Sequence, residues 1–196
     1  HTEYLCQAFD VDKFAMMLFH SRLRVALTTT HLPLSEVSNA VSIDKITEKL
    51  ELMAIGLKKL FGIEKPRIAV CGLNPHAGES GLFGDEEIKT ISPAIQSFLS
   101  EFQEFPVTVE GPIAPDMVFY QALKGQYDAV LCHYHDQGLI PLKTTGMEEG
   151  VNLTLGLPFV RTSPDHGTAF DIAYQSKADV SSMNAAIEAA IGLSLR

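Results

Sequence analysis

Apolar and polar positions change period along the chain, and the changes mark its elements. KFAMMLFHS and LRVALTTT read as two adjacent strands in a hairpin-like start. Beyond Pro33, SEVSNAV reads as a helix with Ser35 as its cap. In IDKITEKLELMAIGLKKLFG, Ile46, Leu50, Met53, Leu57 and Leu60 recur at three- and four-residue steps, an amphipathic helix that Gly62 ends. RIAVCGL is a short buried strand, and NPHAGESGLFG is a Gly-rich loop. DEEIKTISPAIQSFLSEF is the next helix, which Pro93 is expected to kink or split. VTVEGP and DAVLCHY read as strands around the helix APDMVFYQALKG, and HDQGLIPLKTTG as a loop with room for a helical turn. VNLTLGL and FVRTS are strand-like, and TAFDIAYQ and SSMNAAIEAAIGL are helical. Strands separated by helices predict an α/β fold, a mostly parallel sheet with flanking helices and some antiparallel pairing at the start.

With 196 residues, 46% of them hydrophobic and 20% charged, the chain is expected to form one or two globular domains with a real core. The net charge of -9 and pI near 5.2 argue against non-specific nucleic-acid binding, which needs a basic face. A small anion remains compatible, because local Lys, Arg and His can bind phosphate within an acidic protein. Cys6, Cys71 and Cys132 lack CxxC spacing and read as buried reduced thiols. That fits the cytoplasm. No signal peptide or membrane-length apolar run is apparent.

Three histidines follow strand-like runs: His31 after RVALTTT, His76 after RIAVCGLNP, His135 within DAVLCHYH. In an open α/β sheet, loops at the carboxyl ends of strands converge on one crevice. One such histidine is an ordinary loop residue, but three at equivalent positions point to a divalent metal with a position left free for substrate. His133 is a lesser candidate for the same role, since residues two apart in a strand face the same way. Glu79 could orient a ligand or exchange a proton, and Asp136 could orient an imidazole, bind metal or take a proton. Lys143 and Arg161 are suited to phosphate, and Asn152 places an amide in an apolar strand. Thr168, within DHGTA, is a candidate cap whose turn could face an anion.

The ordered series HTEYL, LRVALTTTHLPL, CGLNPHAGESGLFGDEE, GPIAPDMVF, YDAVLCHYHDQGLIPLK and GVNLTLGLPFVRTSPDHGTAFDIA resembles the 4-hydroxythreonine-4-phosphate dehydrogenase family of pyridoxal phosphate biosynthesis. The resemblance runs through essentially the whole chain. It implies NAD-dependent oxidation of a secondary alcohol, then decarboxylation of the β-keto acid to 3-amino-2-oxopropyl phosphate. It also implies a divalent metal on His31, His76 and His135, and substrate contacts at His1, Thr2, Lys143, Asn152 and Arg161. The family implies a homodimer whose metal site combines residues of both subunits. DHGTAFDIA further resembles a stretch of isopropylmalate and isocitrate dehydrogenases, which implies an isopropylmalate/isocitrate dehydrogenase-like fold and places His166, Gly167, Thr168 and Asp171 near NAD. Family members begin well before HTEYL. The expected division is therefore a metal-binding, dimer-forming domain over 1–162 and a return segment over 163–196 that packs against an N-terminal domain.

Several points stay open. Asp136 and Lys143 are both candidates for the catalytic base. All-imidazole ligation suits zinc or cobalt, and completion by Asp136 and substrate oxygens suits magnesium or manganese. The alternatives are a sister dehydrogenase acting on phosphoerythronate or an aromatic cis-dihydrodiol carboxylate, a zinc hydrolase with Glu79 as base, and a non-catalytic dimerisation fragment.

Overall fold

The alternation in the first two apolar runs produces the expected hairpin. β1 (Ala15–His20) pairs antiparallel with β2 (Leu23–Leu27), Leu18 opposite Val25. The structure is a computed structural model that describes residues 2–195, with the side chain of Glu3 left out, so the contact expected at His1 lies outside the described residues. Five more strands follow: β3 (Arg67–Cys71), β4 (Thr108–Ile113), β5 (Ala129–Cys132), β6 (Val151–Leu155) and β7 (Thr162–Pro164). They form one sheet in the order β4-β3-β5-β2-β1-β6-β7. The pairs from β4 to β2 are parallel and those from β2 to β7 antiparallel, so β2, β3, β4, β5 and β6 all run one way. β5 is buried throughout and β3 over four of its five residues, as apolar strands covered on both faces should be.

Helices cover the two faces. α1 (Thr2–Ala8) occupies a stretch to which the sequence pattern assigned no element. α2 (Leu34–Ala40), α3 (Ile43–Lys59) and α4 (Ser92–Glu101) pack on one side, where Ile46, Leu50, Met53 and Leu57 meet Ile68 and Leu131. α5 (Pro115–Leu123) and α6 (His135–Gly146) cover the other side, where Val118 and Leu142 meet Val25 and Ala69. α7 (Ser181–Ser194) packs along β6 and β7. The predicted stripe of α3 is the buried one, and Ser42 caps it by accepting from the Lys45 amide. Gly62, at φ 70°, donates to Lys58 and ends it. Cys6, Cys71 and Cys132 are buried thiols.

Three local expectations change, and a fourth, the split at Pro93, holds in a particular form. Ser35 is no cap, because α2 starts at Leu34 directly after Pro33, whose fixed φ of -55° already sets the entry. The predicted split at Pro93 occurs as a π-helical turn over Glu87–Ile91, followed by α4 with Pro93 in its first turn, where a missing N–H costs nothing. HDQGLIPLKTTG is a full helix. Gly and Pro both disfavour a helix interior, yet a Cβ on Gly138 would stand 3.0 Å from Leu27 and 3.2 Å from the Cys132 sulfur, so the glycine is there for close packing. TAFDIAYQ forms only a 3-10 turn at Phe170–Ile172 behind left-handed Ala169, so Thr168 caps no helix. Phe170 and Tyr174 there are exposed, and no buried face offsets the entropy of ordering a helix.

Candidate functional site

β3, β5 and β2 are neighbours and run in parallel, so their carboxyl ends share one edge. His76, His135 and His31 follow those three ends. His31 and His135 face each other with ring centroids 5.7 Å apart. Two imidazoles ligating one metal at about 2.0–2.1 Å hold their rings roughly 5–6 Å apart, so this pair fits. Both line a cleft of about 330 Å³ with Tyr134, Asp136 and Leu34. His135 opens α6, and its Nδ1–H donates to Asp136 Oδ1 at 2.7 Å, which leaves Nε2 as the nitrogen available to a metal.

His76 stands apart from that pair. Its Nδ1 donates to Glu79 at 3.0 Å, and its ring meets Phe83 edge-on. The hydrogen bond to Glu79 and that carboxylate's charge hold His76 above the usual histidine range, with a smaller push from Asp116. Among the described residues, no three His, Cys, Asp or Glu side chains gather around one point. One chain thus brings two of the three expected imidazoles together and presents the third separately.

A buried polar brace ties the three strand ends together. His133 is fully buried, donates Nε2–H to the Cys71 carbonyl at 2.7 Å and accepts from Thr28 at Nδ1. Desolvation pushes it down to about 4, against smaller opposing effects from the Cys71 carbonyl and Glu87. Both its nitrogens are engaged within the protein, so the competing ligand role considered for it fails. Gln137 accepts from the His133 amide and donates to the Gly72 carbonyl, which crosses from β5 to β3. Thr29 donates to the His133 carbonyl through both its amide and its hydroxyl, which crosses from β2 to β5.

The loop that carries His76 is wound left-handed. His76, Ala77, Gly78, Glu79 and Ser80 have φ of 53°, 53°, 78°, 40° and 57°. Four of them are not glycine, and each costs roughly 1–2 kcal/mol in that conformation. Such strain persists where surrounding structure over-determines it, and it clusters at functional sites.

The remaining expected residues form two further groups. Arg161 Nη1 donates to Thr2 Oγ1 at 3.2 Å and to Thr154 Oγ1 at 3.1 Å, so Thr2 and Arg161 are brought together. Lys143 lies in the last turn of α6, eight residues past His135, hence about 12 Å along the axis. There it pairs with Asp165 at 3.1 Å. The Asp165 amide donates to Ser182, whose hydroxyl donates to the Gly150 carbonyl. Asn152 sits opposite Leu18, two residues past Gly150; its amide nitrogen meets the Met16 sulfur, and its oxygen is buried without a partner among the described residues. His166 and Gly167 line an apolar cleft of about 650 Å³ with Met147, Ala169 and Ile172. Thr168 and Asp171 are exposed beside it.

Sequence reasoning missed Glu87, Gln137, Asp116 and Asp165. Their partners come from other elements, so spacing alone could not single them out.

Residues 1–190 match the family model described as pyridoxal phosphate biosynthetic protein PdxA. The chain belongs to the PdxA family. It is 51% identical to a 4-hydroxythreonine-4-phosphate dehydrogenase of Desulfosudis oleivorans over 97% of its own length and 56% of that protein. It is 47% identical to a D-threonate 4-phosphate dehydrogenase of Pectobacterium atrosepticum, over 98% of the chain and 58% of the relative. The crystal structure of a 4-hydroxythreonine-4-phosphate dehydrogenase from Klebsiella pneumoniae superposes with a TM-score of 0.89 at 45% identity, covering 99% of this chain and 58% of that one. The chain thus spans less than two thirds of the PdxA relatives it matches. No helix among the described residues is long and apolar enough to cross a membrane.

Proposed function

We propose that this chain carries the metal- and substrate-binding part of an oxidoreductase that uses NAD and a divalent metal to oxidise 4-hydroxythreonine 4-phosphate. NAD, when bound, would accept hydride from the carbinol carbon, and Asp136 or Lys143 would take the hydroxyl proton. The β-keto acid then loses carbon dioxide to give 3-amino-2-oxopropyl phosphate. The observation that carries this reading is the facing pair of His31 and His135, with Asp136 behind His135, on the carboxyl edge of a PdxA-family sheet. A divalent metal on these imidazoles supplies Lewis-acid stabilisation of negative charge developing on the alcohol oxygen.

The chain's own residues divide the remaining work. Asp136 fixes the His135 tautomer. Arg161, already turned to Thr2 and Thr154, offers a planar fork for phosphate or carboxylate. The orphaned Asn152 oxygen is suited to a donor, such as a substrate hydroxyl or ammonium group. The apolar cleft at His166 and Gly167 is of a size for part of a nucleotide.

The distribution of these groups favours a site shared between two copies. Within one chain, His76 lies off the His31 and His135 pair, and Lys143 sits about 12 Å along α6 from His135. A homodimer that places His76 or Lys143 of one copy against the imidazole pair of the other would complete the constellation. Neither nucleic acid nor membrane has a part in this reading, which places the protein in the cytoplasm. A second reading, a phosphorylated sugar acid as substrate, is favoured by the name of the Pectobacterium relative. Both substrates present a phosphate and a secondary alcohol.

Binding and turnover together test the proposal. Zinc or cobalt should bind and should lose about 100-fold or more in affinity in His135→Ala. NADH formation should require that metal and should be faster with 4-hydroxythreonine 4-phosphate than with threonate 4-phosphate. The reverse preference would establish the second reading. Metal binding without NAD binding by calorimetry would make the isolated chain a dimerisation and metal-binding part alone. Unchanged metal affinity in His135→Ala would remove the metal centre.

A further inference from the structure

Glu87 is a buried carboxylate, 3% exposed, that none of the steps above employs. It forms no ion pair among the described residues; amide donors satisfy it instead. Oε1 accepts from the backbone amides of Leu73 and Asn74, both at 2.7 Å, and Oε2 accepts from the Asn74 side chain at 3.0 Å. Asn74 Nδ2 is shared with neighbouring Glu86 at 2.7 Å. Every one of these donors lies in the two residues that lead from β3 into Pro75 and His76.

The left-handed turn closes around the same carboxylate. A Cβ on Gly78 would stand 2.6 Å from Glu87 Oε2, and one on Gly72 would stand 3.3 Å from Oε1. The loop therefore approaches the carboxylate at its entry and at its centre; at Gly78 the carboxylate itself leaves no room for a Cβ, and at Gly72 the Ala77 backbone, 2.8 Å from that position, leaves none. The turn's internal bonds, such as Ala77 amide to Asn74 carbonyl and Phe83 amide to Gly78 carbonyl, close its ends but do not anchor it to the sheet. Glu87 supplies an anchor, and its own position is set by a π-helical turn, a feature often found at functional sites. The tip stays exposed, and His76 is on it.

We propose that Glu87 is the positioning residue for His76: it is the post around which the strained turn is wound, and it fixes where that imidazole is presented to a metal. This deepens the metal reading above and rests on it. Glu87 never touches the metal; it acts through the backbone of Leu73, Asn74 and Gly78.

The experiment combines two measurements on the full chain. In the metal-free protein, hydrogen exchange at the Leu73 and Asn74 amides should accelerate in Glu87→Gln, while exchange in β5 stays as in the parent. In a cobalt titration, Glu87→Gln should weaken binding about 10- to 100-fold, the usual cost of losing a ligand's support, and should shift the cobalt d–d absorption toward that of His76→Ala. Adding Glu87→Gln to His76→Ala should bring no further loss, because the two act in series. Gly78→Ala, which presses a methyl group onto the carboxylate, should reproduce the effect and serves if Glu87→Gln fails to fold. Full additivity in the double variant, or unchanged exchange and cobalt affinity in Glu87→Gln, would overturn the proposal. If His76→Ala binds cobalt like the parent, the metal role of His76 falls, and faster exchange at Leu73 and Asn74 would still support Glu87 as the anchor of the turn.

Discussion

Two stretches of this chain carry motifs of similar density and end up in different physical states. YHDQGL follows β5 and opens α6. There Gln137 and the preceding His133 are buried, and their hydrogen bonds reach β2 and β3. SPDHGTAFDIAYQ starts inside β7 and runs past it, and beyond Asp165 nearly all its side chains lie open: His166 bonds the carbonyl of adjacent Gly167, Phe170 is 83% exposed, and Tyr174 is fully exposed. The first stretch is held in place by the chain's own core. The second has polar and apolar groups to offer, but beyond Asp165 and Ser182 its bonds among the described residues are local ones, such as Gln175 to the Asp171 carbonyl. Positioned chemistry comes from buried bonds behind the reactive groups, and a motif alone does not supply them.

Removing the hub of the brace should give the largest effect. His133→Ala opens a cavity, unpairs the Cys71 carbonyl and the Thr28 hydroxyl, and should destabilise the fold by about 3 kcal/mol or more. The urea midpoint of unfolding reads it directly. His166→Ala is the matched control at the exposed stretch and should move that midpoint little. Equal shifts for both would erase the distinction between the two regions.

How much of this was legible beforehand follows from which residues set each feature. The stripe from Ile46 to Leu57 and the unbroken apolar runs of β3 and β5 are local patterns, so the α/β layers could be read from them. The strand-end positions of His31, His76 and His135 were legible too, since each follows an apolar run. α6 was not, because Gly138 and Pro141 disfavour a helix locally, and the close packing of Gly138 against Leu27 and Cys132 comes from distant β2 and β5. The brace was hidden for a similar reason: Gln137 meets Gly72 and His133 meets Cys71 across more than sixty residues. The division of the site into His31 with His135, Arg161 with Thr2, and Lys143 with Asp165 depends on strand order and on the length of α6, which no motif encodes.

A pH titration of stability should sharpen the comparison at intermediate size. The folded value of His133 is about 4 against an ordinary 6.5, so an unfolding chain takes up a proton first as pH falls. Its contribution is fully present above pH 6.5, is lost as pH drops from 6.5 toward 4, and changes no further below that. The total is on the order of 3 kcal/mol. His20, lowered mainly by desolvation, contributes a slope of the same sign below its ordinary value. Melting temperature should therefore fall through that range in the parent, and His133→Gln should flatten most of the slope while lowering the plateau. A slope unchanged in His133→Gln would assign the titration to other groups.

The smallest effect is expected at Tyr174. Its side chain is fully exposed, and its backbone is left-handed at φ 62°. Its ring gains nothing from burial in this chain, so Tyr174→Ser should change unfolding free energy by less than about 0.5 kcal/mol. Tyr174→Gly should be neutral or slightly stabilising, because glycine adopts positive φ without the Cβ penalty and that relief competes with its greater freedom when unfolded. Both follow from a stretch that the rest of the chain does not hold. A loss above 1 kcal/mol in urea unfolding of Tyr174→Ser would mean that the ring is packed in solution, by a second copy or by an occupant of the neighbouring cleft. Repeating the measurement at two protein concentrations separates these, because self-association alone makes the loss depend on concentration.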